Sequence, residues 1–576
     1  MNLKMLWTIS EKICKGGIEV DEYTNSYIGY LNSLHNYNAQ NPNAYGERNI
    51  ESPFYAQTVV EIDICQYIIS SLTDKEPHIL ILTGHAGDGK TSLMFQVLNK
   101  LGIKPNFRDP ILEVVLPSGA ICCCIKDFSE LSDEKKNEMM QAIVNYPKQG
   151  KYVFMVANTG PLINTFGNLF EDSTDKEQAK MELINTMDSN KGDLINIHGY
   201  PFLVINIAAI DNTAFPKQYL QKVVAKELWT DCAACPKRSY CHIIKNRDLI
   251  AENIDHVCDF ISKYYIWQTE YGYRLTIRSM TEQIAYMITG GIGCGDISPM
   301  DPHKMLFFNL FFGRVGTLVN PRATSIRAVK LVRDTNLDSR RLRADEDLII
   351  RKCYSKLFSQ SVCDLISQAE KESVFLPGWC EELRRIYFFL SIVPQDVWNR
   401  DTEDIFSKQY TQYLAVRNGN VKPYKAQKQL LVDALRMMYL GTVVSNNNTI
   451  PITLSKESGI AQSVQLVVGE INVNDIEIIV EPNSAMNASK MNLILRLRKK
   501  EKIPLSLPMI NYFEELRSGV ISTNIDPQLS HGIEALKSRL LKVVSSSSED
   551  LEIIILNNTG YEKKGLAIED GLIRLN

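Results

Sequence analysis

Apolar and polar positions fall along this chain in blocks of changing period, and those blocks predict its elements. His78–Thr83 is a short apolar run that ends in a glycine-rich stretch, the mark of a fully buried strand. Further runs of strand length stand at Ile111–Leu116, Ala120–Ile125, Tyr152–Ala157 and Phe202–Ile207. Around them, Val59–Leu72, Lys90–Leu101, Asp133–Val144 and Asp175–Met187 carry apolar residues at helical spacing. Strands alternating with helices predict an α/β unit, a parallel sheet with helices on both faces. We place it at 56–228, behind a tyrosine- and asparagine-rich helical and loop segment at 1–55 (Tyr23, Tyr27, Tyr30, Tyr37, Tyr45). A Cys-rich insert and helical lid follow at 229–344, and a helical domain at 345–448 with amphipathic stretches such as Glu381–Leu390 and Tyr424–Met438. After Asn446-Asn447-Asn448 the pattern turns β-branched, at Ser463–Val468, Ile476–Val480, Met491–Leu497 and Glu552–Leu556. With a helix near Gly532–Val543, these predict a mixed α/β C-terminal domain at 449–576.

Composition narrows the class. A chain of 576 residues is too long for one hydrophobic core. Its 45% hydrophobic and 23% charged content is that of a globular protein, and no apolar run reaches membrane-spanning length. The N-terminus lacks a secretory pattern, and the thirteen cysteines are odd in number and irregularly placed. Reduced thiols in a cytoplasmic protein with no membrane partner are therefore expected. A net charge of −4 excludes a generally basic nucleic-acid coat but leaves room for a local basic groove.

Chemistry enters at the end of the first strand. Gly84 to Ser92 reads G-H-A-G-D-G-K-T-S, the G-x-x-x-x-G-K-[ST] phosphate-binding loop, with a strand before it and a helix after it. Gly84, Gly87 and Gly89 allow positive φ, so the main-chain N–H groups from Gly84 through Asp88 to Ser92 can surround nucleotide phosphates at the positive end of a helix. Lys90 is expected on the β- and γ-phosphates of ATP or GTP, and the Thr91 hydroxyl on Mg²⁺. The predicted fold is therefore a P-loop NTPase.

Hydrolysis also needs a carboxylate at a strand end. Asp127 is the first strand-end acid, after Ala120–Ile125 in Ile125-Lys-Asp-Phe-Ser-Glu130, with Glu130 placed to orient water; Asp211, after Phe202–Ile207, is the competitor. A surface acid capping the next helix is the plainer reading, a part that Asp127 or Ser129 could equally take. Asn158, at the tip of Tyr152–Ala157, suits a γ-phosphate sensor or a plain Asn-Thr-Gly turn. No arginine lies between Arg108 and Arg238, so a charge-dispersing arginine must come from a partner or from later in the chain, where Arg274 and Arg278 open a helix.

Cys232-Ala-Ala-Cys235-Pro, followed by Cys241-His242, places soft ligands near one another. They suit Zn²⁺, with His256 or Cys258 as a fourth ligand, or an iron–sulfur cluster, or only a compact turn packed by reduced thiols. Two basic stretches, Arg314 to Arg343 (with Arg322, Arg327, Lys330, Arg333, Arg340 and Arg341) and Arg496 to Lys502, could meet the phosphate backbone of double-stranded DNA or could be solvated faces.

The ordered set resembles a known family. The phosphate loop is followed by Ile125-Lys-Asp-x-Ser-Glu130, Ala157-Asn-x-Gly160, Cys232-x-x-Cys-Pro, Asn246, and Leu275-Thr-Ile-Arg278 leading to Ile288-Thr-Gly-Gly291. Leu383-Arg-Arg-Ile-Tyr-Phe-Phe389, Ile503-Pro-Leu-Ser-Leu-Pro508 and Glu515-Leu-Arg-Ser-Gly519 extend the likeness. This is similar to the DptF family, the ATPase component of DNA phosphorothioation-dependent restriction, and to related bacterial anti-phage ATPases. The resemblance implies an AAA+-like ATPase in an oligomer or hetero-complex with other defence proteins, a nuclease or effector, acting on foreign DNA. It carries Lys90 and Thr91 over as phosphate and Mg²⁺ contacts, Asp127 as metal carboxylate and Asn158 as sensor. A nucleotide-gated, STAND-like signalling or scaffold protein with slow hydrolysis is the alternative expectation.

Overall fold

The structure is a computed structural model that describes residues 25–37, 52–104, 109–189, 191–299, 302–422, 425–443, 448–454, 463–482, 491–520, 525–544, 551–557, 560–569 and 572–575. Tyr23 and Tyr45 of the entry segment, Arg108 and Tyr424 lie outside the described residues.

The central layer is a six-stranded sheet built from β1 (Ile79–Thr83), β2 (Ile111–Val115), β3 (Ile121–Ile125), β4 (Tyr152–Val156), β5 (Ile195–Ile197) and β6 (Tyr200–Asn206). Their order is β2-β3-β4-β1-β6-β5. β3, β4, β1 and β6 run parallel. Strand alternation splits each apolar run between two faces. Leu80 and Leu82 join the helices Ile64–Asp74 and Lys90–Lys100 on one face. Ile79 and Ile81 meet Asp133–Ile143, Thr159–Gly167 and Ser173–Ser189 on the other. The cysteine run obeys the same rule, with Cys122 and Cys124 on the first face and Cys123 on the second.

The two edges depart from an all-parallel sheet. β2 pairs antiparallel with β3, and β5 antiparallel with β6. The reason is connection length: the links at 116–120 and at His198-Gly199 hold only hairpin turns, too short for a parallel crossover.

Beyond the sheet, helices run from Phe215–Val223 to Lys425–Leu440, interrupted by a two-stranded ribbon at Arg314–Val315 and Leu318–Val319. The C-terminal strands form a five-stranded and a three-stranded sheet whose strand pairs are all antiparallel. One apolar cluster runs without a break from Tyr27 through Phe260, Phe389 and Leu435 to Leu495 and Leu540, so the segments after 229 share a core. Among the described residues, no helix is long and apolar enough to cross a membrane.

Candidate functional site

Because β1, β3, β4 and β6 are parallel, whatever follows their C-terminal ends gathers on one edge of the sheet. Gly84, Asp127, Asn158 and Asp211 all do so.

β1 ends at Thr83, and Gly84, Gly87 and Gly89 then take φ of 139°, 89° and 87°. A Cβ at Gly84 would stand 3.0 Å from the Ala208 nitrogen, and one at Gly87 would stand 3.0 Å from Thr276 Oγ1. Both positions demand glycine, for conformation and for space. Gly89, left-handed, passes the chain into the helix Lys90–Lys100. At a helix start the N–H groups of Lys90, Thr91 and Ser92 have no intrahelical acceptor. No hydrogen-bond acceptor for these three, or for the N–H groups of Gly87 and Gly89, occurs among the described residues. The loop thus gathers main-chain donors with no acceptor among the described residues.

Lys90 is buried, and its ammonium donates to the carbonyls of Gly84 (3.1 Å) and His85 (2.8 Å). Burial pulls its pKa down, while the nearby Asp88 and Asp127 charges oppose that and Arg278 adds to it. Asp88, expected among the ligand-binding residues, is fully buried. One of its oxygens accepts the His85 N–H at 2.9 Å and the other accepts from Arg274 at 2.7 Å. Its carboxylate therefore holds the shape of the loop. Arg274 is the matching strut, with its other arm on the Ile207 carbonyl at 3.2 Å.

Asp127 begins a short 3-10 turn, Phe128–Glu130, and accepts the Ser129 N–H at 2.9 Å. It caps that turn and also lies near enough to Lys90 to favour its charged form. Ser129 in turn accepts the Asn158 N–H at 2.8 Å, which ties the tips of β3 and β4 together. Asn158 precedes the helix Thr159–Gly167 without capping it through its side chain. Glu130 is exposed at the end of the turn. Asp211 takes another part: it accepts the Thr213 N–H at 2.8 Å and pairs with buried Arg417, which also reaches Glu270 at 3.4 Å.

The helix Ile277–Thr289 starts directly over the loop, where Arg278 N–H donates to the Gly87 carbonyl at 3.1 Å. The Arg278 side chain has no hydrogen bond or ion pair with a described residue. Sequence reasoning missed two neighbours. Gln96 clamps the backbone of Val60 and Ile62 beside the loop helix at 3.1 and 3.3 Å. Tyr55, whose buried hydroxyl lies by Ser92 and Gln96, is the other.

The remaining expectations separate. Cys232, Cys235 and Cys241 do line one cleft, but His256 and Cys258 do not. His256 meets Ser391 Oγ at 3.0 Å against the Trp398 ring, and the Cys258 thiol turns to the Lys217 carbonyl. Nor does His242 point to that cleft, since its ring meets the Thr289 carbonyl at 3.1 Å. Among the described residues no group of three or more His, Cys, Asp or Glu is arranged to hold a single metal ion, so the Zn²⁺ expectation gains no geometric support.

Much of the basic sequence is bound internally. Arg340 donates to the Ile405 and Phe406 carbonyls and lies over Trp267; Arg314 pairs with Asp338, and Arg343 with Asp404. Arg322, Arg327, Lys330 and Arg341 remain exposed. In the second stretch Arg496, Arg498 and Lys502 pair with Glu477, Asp475 and Glu481.

No protein-family model, curated protein or solved structure matches the chain.

Proposed function

We propose that this chain binds and hydrolyses ATP as an AAA+-like P-loop ATPase. The observation that carries the reading is the set of main-chain N–H groups of Gly87, Gly89, Lys90, Thr91 and Ser92 without an acceptor among the described residues, wrapped around a buried Lys90 at a helix start. A triphosphate supplies the acceptors those groups lack. The residues suit a nucleotide with its metal: the loop amides and Lys90 hold phosphate, and the Thr91 hydroxyl and Asp127 stand for the Mg²⁺ shell. Mg²⁺, when bound, would neutralise charge developing on the phosphate oxygens. Asn158 senses the terminal phosphate from the strand between those of the loop and of Asp127, an order the AAA+-like reading requires. Glu130 orients water, and Arg278, free of ion pairs to described residues, disperses charge.

The resemblance to DptF-like proteins extends the proposal to a role in bacterial defence beside a nuclease or effector and DNA. The four exposed cations between Arg322 and Arg341 are the surface for that contact. One observation favours the nucleotide-gated scaffold instead. The Arg417–Asp211 pair and the helix seated on Gly87 fasten the later helices to the site, which suits slow turnover.

Lys90→Ala should abolish tight ATP binding in isothermal titration, and unchanged affinity refutes nucleotide binding. Phosphate release with and without double-stranded DNA, together with sizing in both nucleotide states, separates the two readings. DNA-stimulated turnover supports the ATPase. Slow, DNA-indifferent turnover with a nucleotide-dependent change of size supports the scaffold.

A further inference from the structure

The cleft that holds Cys232, Cys235 and Cys241 is completed by a residue remote in sequence, Cys294, in Gly293-Cys294-Gly295. Four thiols from two stretches of the chain thus face one cleft, and all four are free cysteines. Cys232 ends a 3-10 segment, Cys235 lies in the turn after it, Cys241 precedes the helix His242–Glu252, and Cys294 follows the helix Ile277–Thr289.

Two features of the cleft point to a bound group. The sulfurs are approached by donors: Asn25 Nδ2–H donates to Cys232 Sγ at 3.3 Å, and the main-chain N–H groups of Ile243 and Ile244 donate to Cys241 Sγ. Asn25 is itself buried, its Oδ1 fixed by the Tyr27 N–H, so its amide is aimed at the sulfur. N–H···S bonds of this kind stabilise thiolate ligands and tune the metal group they hold. Cations stand at the rim as well, with Lys237 anchored on the Cys294 carbonyl at 3.0 Å and Arg238 on that of Cys232 at 3.3 Å. They offset the negative charge that four thiolates bring.

Spacing decides what the group is. Around one tetrahedral zinc, with Zn–S bonds near ~2.3 Å, the sulfurs would stand roughly 3.8 Å apart. Cys122 and Cys124 show such a contact in the sheet, at 3.9 Å, whereas among the described residues no three of the four thiols lining the cleft are arranged to hold one ion. A cubane cluster binds each thiolate through a different iron at a different corner, so it requires the wider ring. We propose that Cys232, Cys235, Cys241 and Cys294 are the ligands of a [4Fe–4S] cluster. It would fasten the start of the helix Ser26–Ser33, through Asn25, to the far end of the helix whose first turn sits on the phosphate loop. The assignment stands apart from nucleotide binding.

The test is metal and sulfide analysis of the full chain purified without oxygen. About four irons and four acid-labile sulfides per chain are expected, with a broad visible absorption that bleaches under dithionite. Cys294→Ser should retain less than about half of that iron, and Cys258→Ser, outside the cleft, should retain all of it. About one zinc per chain without sulfide overturns the proposal, as do metal-free protein and full iron content in Cys294→Ser. Should Cys294→Ser fail to fold, the wild-type stoichiometry decides alone, because it needs no variant.

Discussion

Asp88→Asn tests whether the loop is held in shape by one inward carboxylate. Asp88 is fully buried and accepts two hydrogen bonds, from His85 N–H at 2.9 Å and from Arg274 at 2.7 Å. An asparagine of the same size can keep only one acceptor oxygen. Its amide then either leaves the His85 N–H unpaired or opposes the arginine with a second donor. A hydrogen bond to a charged group contributes about 1.5–3 kcal/mol, and a full break of a buried pair costs about 3–5 kcal/mol. Arg274 is 25% exposed, so water recovers part of the loss on its side. The expected cost is therefore near the lower range, about 2 kcal/mol, or a roughly 30-fold larger opening constant for the loop. Amide hydrogen exchange of a peptide spanning the loop reads that constant directly. A double-mutant cycle with Arg274→Gln should give a coupling of about 2 kcal/mol. Unchanged exchange, or a coupling below about 0.3 kcal/mol, would refute the strut and return Asp88 to the open side of the loop.

Three further outcomes follow from buried charge. Burial raises the Glu282 carboxyl to about 7 from 4.5, against the opposing charge of Arg278. In that window the folded state binds the proton and the unfolded state does not, so stability falls by about 3 kcal/mol as pH rises through it; Glu282→Gln should flatten denaturation midpoints measured between about pH 5 and pH 8. Arg385, fully buried, donates to Asn309, Asp338 and the Gly316 carbonyl at 3.0, 2.7 and 2.9 Å. Asp338→Ala should cost about 3–5 kcal/mol in urea unfolding, and combining it with Arg385→Met should recover much of that. Arg417→Ala should raise hydrogen exchange in peptides around Asp211 and leave those of β3 unchanged; equal change in both would mean general unfolding.

Legibility in the sequence followed the range of the interactions concerned. The parallel strands and their helices were readable because each is decided by its own apolar run and the turn beside it, as at Ile79–Thr83 before Gly84. The antiparallel edges were less so, since β5 has three residues and its pairing rests on the tight turn His198-Gly199. Asp127 and Asp211 are indistinguishable locally, both acids after apolar strands; Arg417, 206 residues away, is what occupies Asp211. The same applies to the cysteines. Residues near Cys241 suggested His256 or Cys258 as a fourth ligand, whereas the fold brings Cys294 to the cleft from the end of another helix. Charge runs misled for a related reason, because Arg340 and Arg343 are bound to a helix that comes later in the chain.

The site is joined to the rest of the molecule by clamps of two kinds, and they would respond differently to a bound anion. Lys90 rests on neutral carbonyls of its own loop, and Arg278 has no ion pair to a described residue. On the proposed nucleotide reading, both cations would gain by turning to a phosphate, and their contacts would differ with and without it. Arg274 and Arg417 already face carboxylates in Asp88 and Asp211, and an added anion gives them little to exchange. A ligand shifts a conformational equilibrium only through interactions that differ between the two states. Movement should therefore originate at Lys90 and at the first turn of the helix Ile277–Thr289, with the Arg417–Asp211–Glu270 cluster as the fixed point about which that helix re-seats. Loss of Arg278 would then reduce the response to nucleotide, whereas loss of Arg417 would blur both states alike.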